Sequence, residues 1–368
     1  MDSMIMGVLV LVAALLGYRF GIAVAIFEIA AGALAGNLLG FQASPWLQTF
    51  ADFGSLLLIF IAGSDIDIET MVRKFKPVGL MGGISFLAPF LTVVGFGLFV
   101  QQWDTPRALL IGIASSTTSV AIVYPVLRDS GMLKRELGKT LLLVAFLPDF
   151  LVTVALFAFF SEVGIQTLAI VGLLAFSIFV LRFVSARFFR RVGETSSEIK
   201  LRFIFAVLFA IAFISEQGNL HASLAVFILG ILVSELMKEQ EETDKRIRAV
   251  AFSIFVPAFY FKAGLLFSFG AVVQNIVMIL ILLALAFSSK FIGIYLVGKR
   301  YLKENTRYGA ILMNARLTFG TIAATYGLTH HIIDQQFFSI LISMIILASA
   351  VALVLSGKPP LPAEVDEA

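Results

Sequence analysis

Apolar residues fall along the chain in long runs broken by short charged or turn-rich clusters. Runs of this length predict membrane-spanning helices rather than the elements of a water-soluble core. Thirteen are predicted, at about residues 4–17, 20–40, 47–64, 77–101, 106–127, 137–161, 165–186, 200–217, 221–237, 249–267, 270–297, 307–329 and 335–356. The first lacks a positive leader and a small-residue cleavage site and is followed by Tyr18 and Arg19, so it is read as a retained helix. The fifth and twelfth runs turn polar in their middles. The fifth carries Ser115-Ser116-Thr117-Thr118-Ser119 with Pro125 beyond, and the twelfth carries Asn314, Arg316, Thr318, Gly320 and Thr321.

Runs four to six and eleven to thirteen lie seven spans apart, an odd number, so the two trios cross the membrane in opposite directions. Each trio has its interruption in the middle span, the pattern of an inverted repeat with two crossed, partly unwound helices around an ion site. The bland alternative is that Ser and Thr bond back to helix carbonyls and help spans pack. The predicted fold is an all-α polytopic membrane protein of about 13 transmembrane helices, with inverted repeats and two broken, crossing helices. A transport core is expected at about 77–161 and 270–356, and a scaffold at about 4–64 and 165–267. No soluble domain is expected.

Composition sharpens this picture. Of 368 residues, 60% are apolar and 14% charged, against roughly a quarter charged in soluble domains. There is no cysteine, which removes disulfides and thiolate chemistry. The net charge of +3 marks topology rather than nucleic-acid binding. Of the 27 Lys and Arg, all but Arg107, Lys262, Lys290 and Arg316 fall on one side of the predicted membrane. By the positive-inside bias that side is cytoplasmic, with the N-terminus outside and the C-terminus inside.

Lys262, Lys290 and Arg316 fall within predicted spans, as do Glu28 and Asp149. An ionised group at the bilayer centre costs at least ~2.5–3.5 kcal/mol, so such groups face a cavity or a partner and mark function by default. Pro148 precedes Asp149 and cannot donate to the Val144 carbonyl, which pairs a freed carbonyl with a carboxylate as oxygen ligands for Na⁺ or K⁺. The structural alternative is a kink beside a hydrogen-bonded aspartate. A carboxylate in a partly dehydrated cavity sheds its charge by binding a proton or a metal cation, and competition between the two is the minimal chemistry of an exchanger. Lys262 is a second candidate to tune the site, competing with Lys290 for Asp149, or a side chain reaching for the interface. Arg316 is read as structural, as is Glu28, and His330 and His331 as loop residues near Asp334.

A set of motifs adds to this reading. Leu57-Leu58-Ile59-Phe60-Ile61-Ala62-Gly63-Ser64-Asp65-Ile66-Asp67, at the end of the third span, resembles the "LFxAGLExD" segment of the monovalent cation:proton antiporter-2 family, which includes Kef-type potassium efflux proteins. The Ser/Thr tract at 115–119 and the Pro148-Asp149 pair are similar to that family's broken-helix motif and carboxylate pair. Phe259-Tyr260-Phe261-Lys262-Ala263-Gly264-Leu265 resembles its "FFxxxGL", and Lys290-Phe291-Ile292-Gly293 its "K-x-x-G". The resemblance implies a sodium/proton antiporter-like fold, a plasma-membrane antiporter of Na⁺ or K⁺ against H⁺, and a homodimer. It implies that Asp149 binds cation and proton in turn, with Ser116, Thr117 and Thr118 at the crossing, Lys290 tuning the carboxylate, and Arg316 and Thr318 in the second broken helix. Pro148 departs from the Asp, Asn or Gln usual there, which bears on stoichiometry and ion choice. No cofactor is expected beyond the transported ions, and no nucleic-acid partner. The chain stops soon after the last span, so no nucleotide-gated domain is expected. A sodium-coupled organic-anion symporter or a cation channel are the alternatives. No H-E-x-x-H or G-x-S-x-G motif points to an enzyme.

Overall fold

The computed structural model describes residues 2–20, 23–66, 68–130, 132–160, 197–217, 222–239, 241–302 and 305–356. Among the described residues every regular element is helical. In chain order the α-helices are α1 (Asp2–Phe20), α2 (Val24–Leu39), α3 (Pro45–Ser64), α4 (Ile68–Arg73), α5 (Phe75–Gly95), α6 (Thr105–Ala114), α7 (Val120–Asp129) and α8 (Glu136–Phe160). They continue as α9 (Ser197–Gln217), α10 (Ala222–Glu239), α11 (Glu241–Val250), α12 (Val256–Leu265), α13 (Phe269–Gln274), α14 (Ile276–Gly298), α15 (Thr306–Leu312), α16 (Thr318–Thr329) and α17 (Gln335–Ser356). Seven stretches of described helix are long and apolar enough to cross a membrane. Helix stands at every predicted span except 165–186, which lies outside the described residues.

Local chemistry sets the helix ends. Pro45 begins α3, where its missing N–H costs nothing, and Gly40 ends α2 with φ of 67°, a conformation that only glycine adopts without strain. Asp104 caps α6 by accepting from the Arg107 N–H at 3.2 Å, and Asp334 caps α17 by accepting from the Phe337 N–H at 2.8 Å.

The chain divides into two compact units. The first comprises Met1–Ile68 and Thr153–Phe269, and the second Glu69–Val152 and Gly270–Ala368. In the first unit the helices meet backbone to backbone through small residues. A Cβ on Gly32 would lie 2.1 Å from the Phe261 carbonyl oxygen of α12, and one on Gly264 would lie 2.1 Å from the Ile29 oxygen of α2. Gly63 and Gly230 hold α3 and α10 together in the same way. Two of the motif glycines are therefore packing residues.

The α3 helix runs antiparallel to α11 and α12, which a π-helical turn at Ala251–Phe255 joins into one rod. Two ion pairs tie them, one at the end of α3 and one about two turns inside its start. Lys262 Nζ lies 2.8 Å from Asp52 Oδ1, and Arg248 Nη2 lies 2.5 Å from Asp65 Oδ1 while its Nε holds Asp244 at 2.8 Å.

In the second unit α14 packs on α5, α15 and α17, and α6 lies beside α5 and α16. Contacts within each unit join chain ends that the charge alternation assigns to one side. Arg248 with Asp65, and Lys74 with Glu136 at 2.5 Å, join the Lys- and Arg-rich side. Asn37 with the Phe267 carbonyl at 2.7 Å, and Arg107 over the Phe337 ring at 4.9 Å, join the other.

Candidate functional site

Both interrupted spans unwind over five residues. Residues 115–119 separate α6 from α7, and 313–317 separate α15 from α16. The two breaks touch: the Ser119 N–H donates to the Ala315 carbonyl at 2.7 Å, Thr118 Oγ1 donates to the Met313 carbonyl at 3.1 Å, and the Ser119 and Thr318 hydroxyls are 3.2 Å apart. Unwinding exposes carbonyls where α6 and α15 end and N–H groups where α7 and α16 begin. The helix ends thus bring negative and positive partial charge to the crossing.

Lys290, fully buried on α14, answers the carbonyl ends. Its ammonium donates to the carbonyls of Ser116 at 3.0 Å, Thr117 at 2.6 Å and Met313 at 3.4 Å, and to the Thr118 hydroxyl at 2.8 Å. One cation therefore serves both broken helices. Ser85 on α5 adds a hydroxyl 3.4 Å from Thr118 Oγ1.

Asp149 is 1% exposed and lies on α8, which continues through Pro148 as one helix. Its carboxylate accepts from the Thr118 backbone N–H, beside the start of α7, and is within electrostatic range of Lys290. The carboxylate thus meets a positive helix end and the ammonium meets negative ones. The Pro148 ring leaves the Val144 carbonyl without its usual helical donor, one turn before the acid.

The Ser and Thr hydroxyls play a different part from their carbonyls. Ser116 Oγ donates back to the Gly112 carbonyl at 2.6 Å, and Thr117 Oγ1 to that of Ala114 at 3.5 Å. The oxygens they offer at the crossing are backbone ones. Arg316 is fully buried: Nη2 donates to the Ala286 carbonyl at 2.7 Å and to Asn314 Oδ1 at 2.8 Å. Ser349 of α17 accepts from the Arg316 N–H at 2.9 Å and donates to its carbonyl. The residue braces the second break.

Lys262 belongs to the first unit, where Asp52 holds it, and Glu28 is buried there at 4% exposure. His330 stacks on Tyr326 with ring centres 3.9 Å apart, at the exposed end of α16. Ser85 and Ser349 escaped sequence reasoning, because a lone serine in an apolar span carries no signal of what it touches. Among the described residues no group of three or more His, Cys, Asp or Glu is placed to hold a metal ion.

Two broken helices crossing inside a helical membrane protein, with a buried acid and a buried lysine at opposite helix ends, define an inverted-repeat secondary transporter. The chain belongs to the sodium/hydrogen exchanger family, whose transmembrane model matches residues 7–359. It is 24% identical over 343 residues to a probable Na⁺/H⁺ antiporter of Methanocaldococcus jannaschii, covering 86% of each chain. It is 25% identical to a Na⁺/H⁺ antiporter of Enterococcus hirae, covering 94% of each, and 26% identical to the Na⁺/H⁺-K⁺ antiporter GerN of Bacillus cereus, covering 86% of each. The fold is also that of the sodium proton antiporter MjNhaP1 from Methanocaldococcus jannaschii, with a TM-score of 0.66 at 16% identity, over 96% of this chain and 98% of that one.

Proposed function

We propose that this protein exchanges Na⁺ for H⁺ across the plasma membrane by alternating access, with Asp149 holding proton and cation in turn. The observation that carries the reading is the burial of Asp149 beside the crossed breaks, within electrostatic range of Lys290. A carboxylate so enclosed is neutralised by whichever cation reaches it, so the proton and Na⁺ exclude each other. The carbonyls of Ser116 and Thr117 and the Thr118 hydroxyl, which the Lys290 ammonium holds here, supply hard oxygen ligands once the cation draws them from it, and the freed Val144 carbonyl is a further candidate. K⁺ is the second substrate candidate. With Pro148 in place of a second acid, one proton exchanges for one cation and transport is electroneutral. The second unit is the moving core and the first the scaffold and homodimer surface, with the N-terminus outside and the C-terminus in the cytoplasm.

Arg316 is engaged by the protein's own carbonyls, which leaves the organic-anion symporter without its best anchor. The test is dye-reported pH recovery in acid-loaded proteoliposomes on addition of Na⁺, K⁺ or Li⁺. Proton movement that requires Na⁺ and disappears in Asp149→Asn is the expected result. No proton movement with any cation, from folded protein, would overturn the reading. A rate that responds to an imposed membrane potential would overturn electroneutrality alone.

A further inference from the structure

The two ends of α3 differ in kind. Residues 57–61 are buried, whereas the opposite half exposes Gln48, Thr49 and Asp52. Gln48, Asp52 and Ser55 recur at the spacing of one helix face, and the Ser55 hydroxyl donates to the Asp52 carbonyl at 2.7 Å. Trp46 and Phe50 point about half a turn away from that face. The Asp52 side chain is 60% exposed, although its partner Lys262 is only 5% exposed. Lys262 engages one carboxylate oxygen, Oδ1, and leaves the rest of the group facing outward. A polar stripe with an exposed carboxylate at its centre is costly against lipid and is the ordinary lining of a water-filled passage.

We infer that this face of α3 lines an aqueous entry for hydrated monovalent cations on the side opposite the Lys- and Arg-rich loops. Asp52 is its charged group. Lys262 positions that carboxylate and sets the charge that an arriving cation meets. The consequence for transport rests on the exchange proposed above, whereas the water-lined face does not.

The chain has no cysteine, so single cysteines report directly. Gln48→Cys and Ser55→Cys, in protein that still exchanges, are expected to react with a membrane-impermeant maleimide added opposite the Lys- and Arg-rich loops. Leu34→Cys, on an exposed apolar face of α2, is expected to stay unlabelled. Absence of labelling at both polar positions overturns the inference. The second arm measures the apparent KM for Na⁺ in proteoliposomes. One unit charge about 7 Å away through water changes a local cation concentration roughly threefold. Asp52→Asn is expected to raise KM by about that factor and Lys262→Met to lower it by about the same, with the double variant near the unmodified protein. Two single variants that shift KM in the same direction, or leave it unmoved, overturn the role of Asp52. If the unmodified protein exchanges no cation, the functional reading fails, and labelling still decides whether the face is wet.

Discussion

The two units place their charges in opposite ways. In the first, Arg248 meets its acid at the end of α3 and Lys262 meets its own about two turns inside the start, and the middle of the unit is held by backbone contacts through glycine. In the second, Lys290, Arg316 and Asp149 are buried together with two unwound segments. A unit whose ion pairs bridge neighbouring helices away from any unwound segment has little to rearrange, which suits the frame proposed for it. A unit that keeps its charged groups at its centre carries its chemistry at the cost of internal polarity, which is offset as far as its donors and acceptors are answered.

The sharpest break in this comparison is functional. Asp149→Asn is expected to abolish exchange while leaving the protein folded, measured as proton flux beside a detergent melting curve. Lys290→Met strips a donor from three carbonyls and a hydroxyl, and is expected to lower stability by ~3–5 kcal/mol, read from thermal unfolding. On the other side of the comparison, Gly264→Val drives side-chain atoms into the α2 backbone and is expected to cost about 1–3 kcal/mol or more in the same assay. The Asp149 site remains intact in the molecules that stay folded, so flux per folded protein holds. Arg316→Lys keeps the charge but loses the planar fork between Ala286 and Asn314, with an expected loss of ~1–2 kcal/mol. The smallest effect is expected from Arg248→Met, since a partly exposed pair contributes about 1 kcal/mol or less.

The breaks were legible because a run of Ser and Thr in an apolar span, repeated seven spans later in a different polar guise, has few other uses. Asp149 was legible for the same reason: an acid in a span needs explaining. Partners were another matter. Lys290 lies within electrostatic range of Asp149, but it also bonds the Thr118 hydroxyl and backbone oxygens released by unwinding, and composition does not reveal a freed carbonyl. Lys262 is joined to Asp52 across 210 residues, a pairing that no local pattern encodes. The hydroxyls of Ser116 and Thr117 were obvious candidate ligands, but their own helix claims them.

Asp52 and Asp65 lie thirteen positions apart on α3, and their partners Arg248 and Lys262 fourteen apart on the facing rod. The π turn between those partners sets their rotational phase. With that turn kept, deleting one residue from the α-helical stretch between Pro257 and Phe261 would swing one end of the rod by about 100° relative to the other. The two ion pairs then compete for a single azimuth. A one-residue deletion in an apolar stretch that touches no charge would thereby act as a charge mutation some distance away.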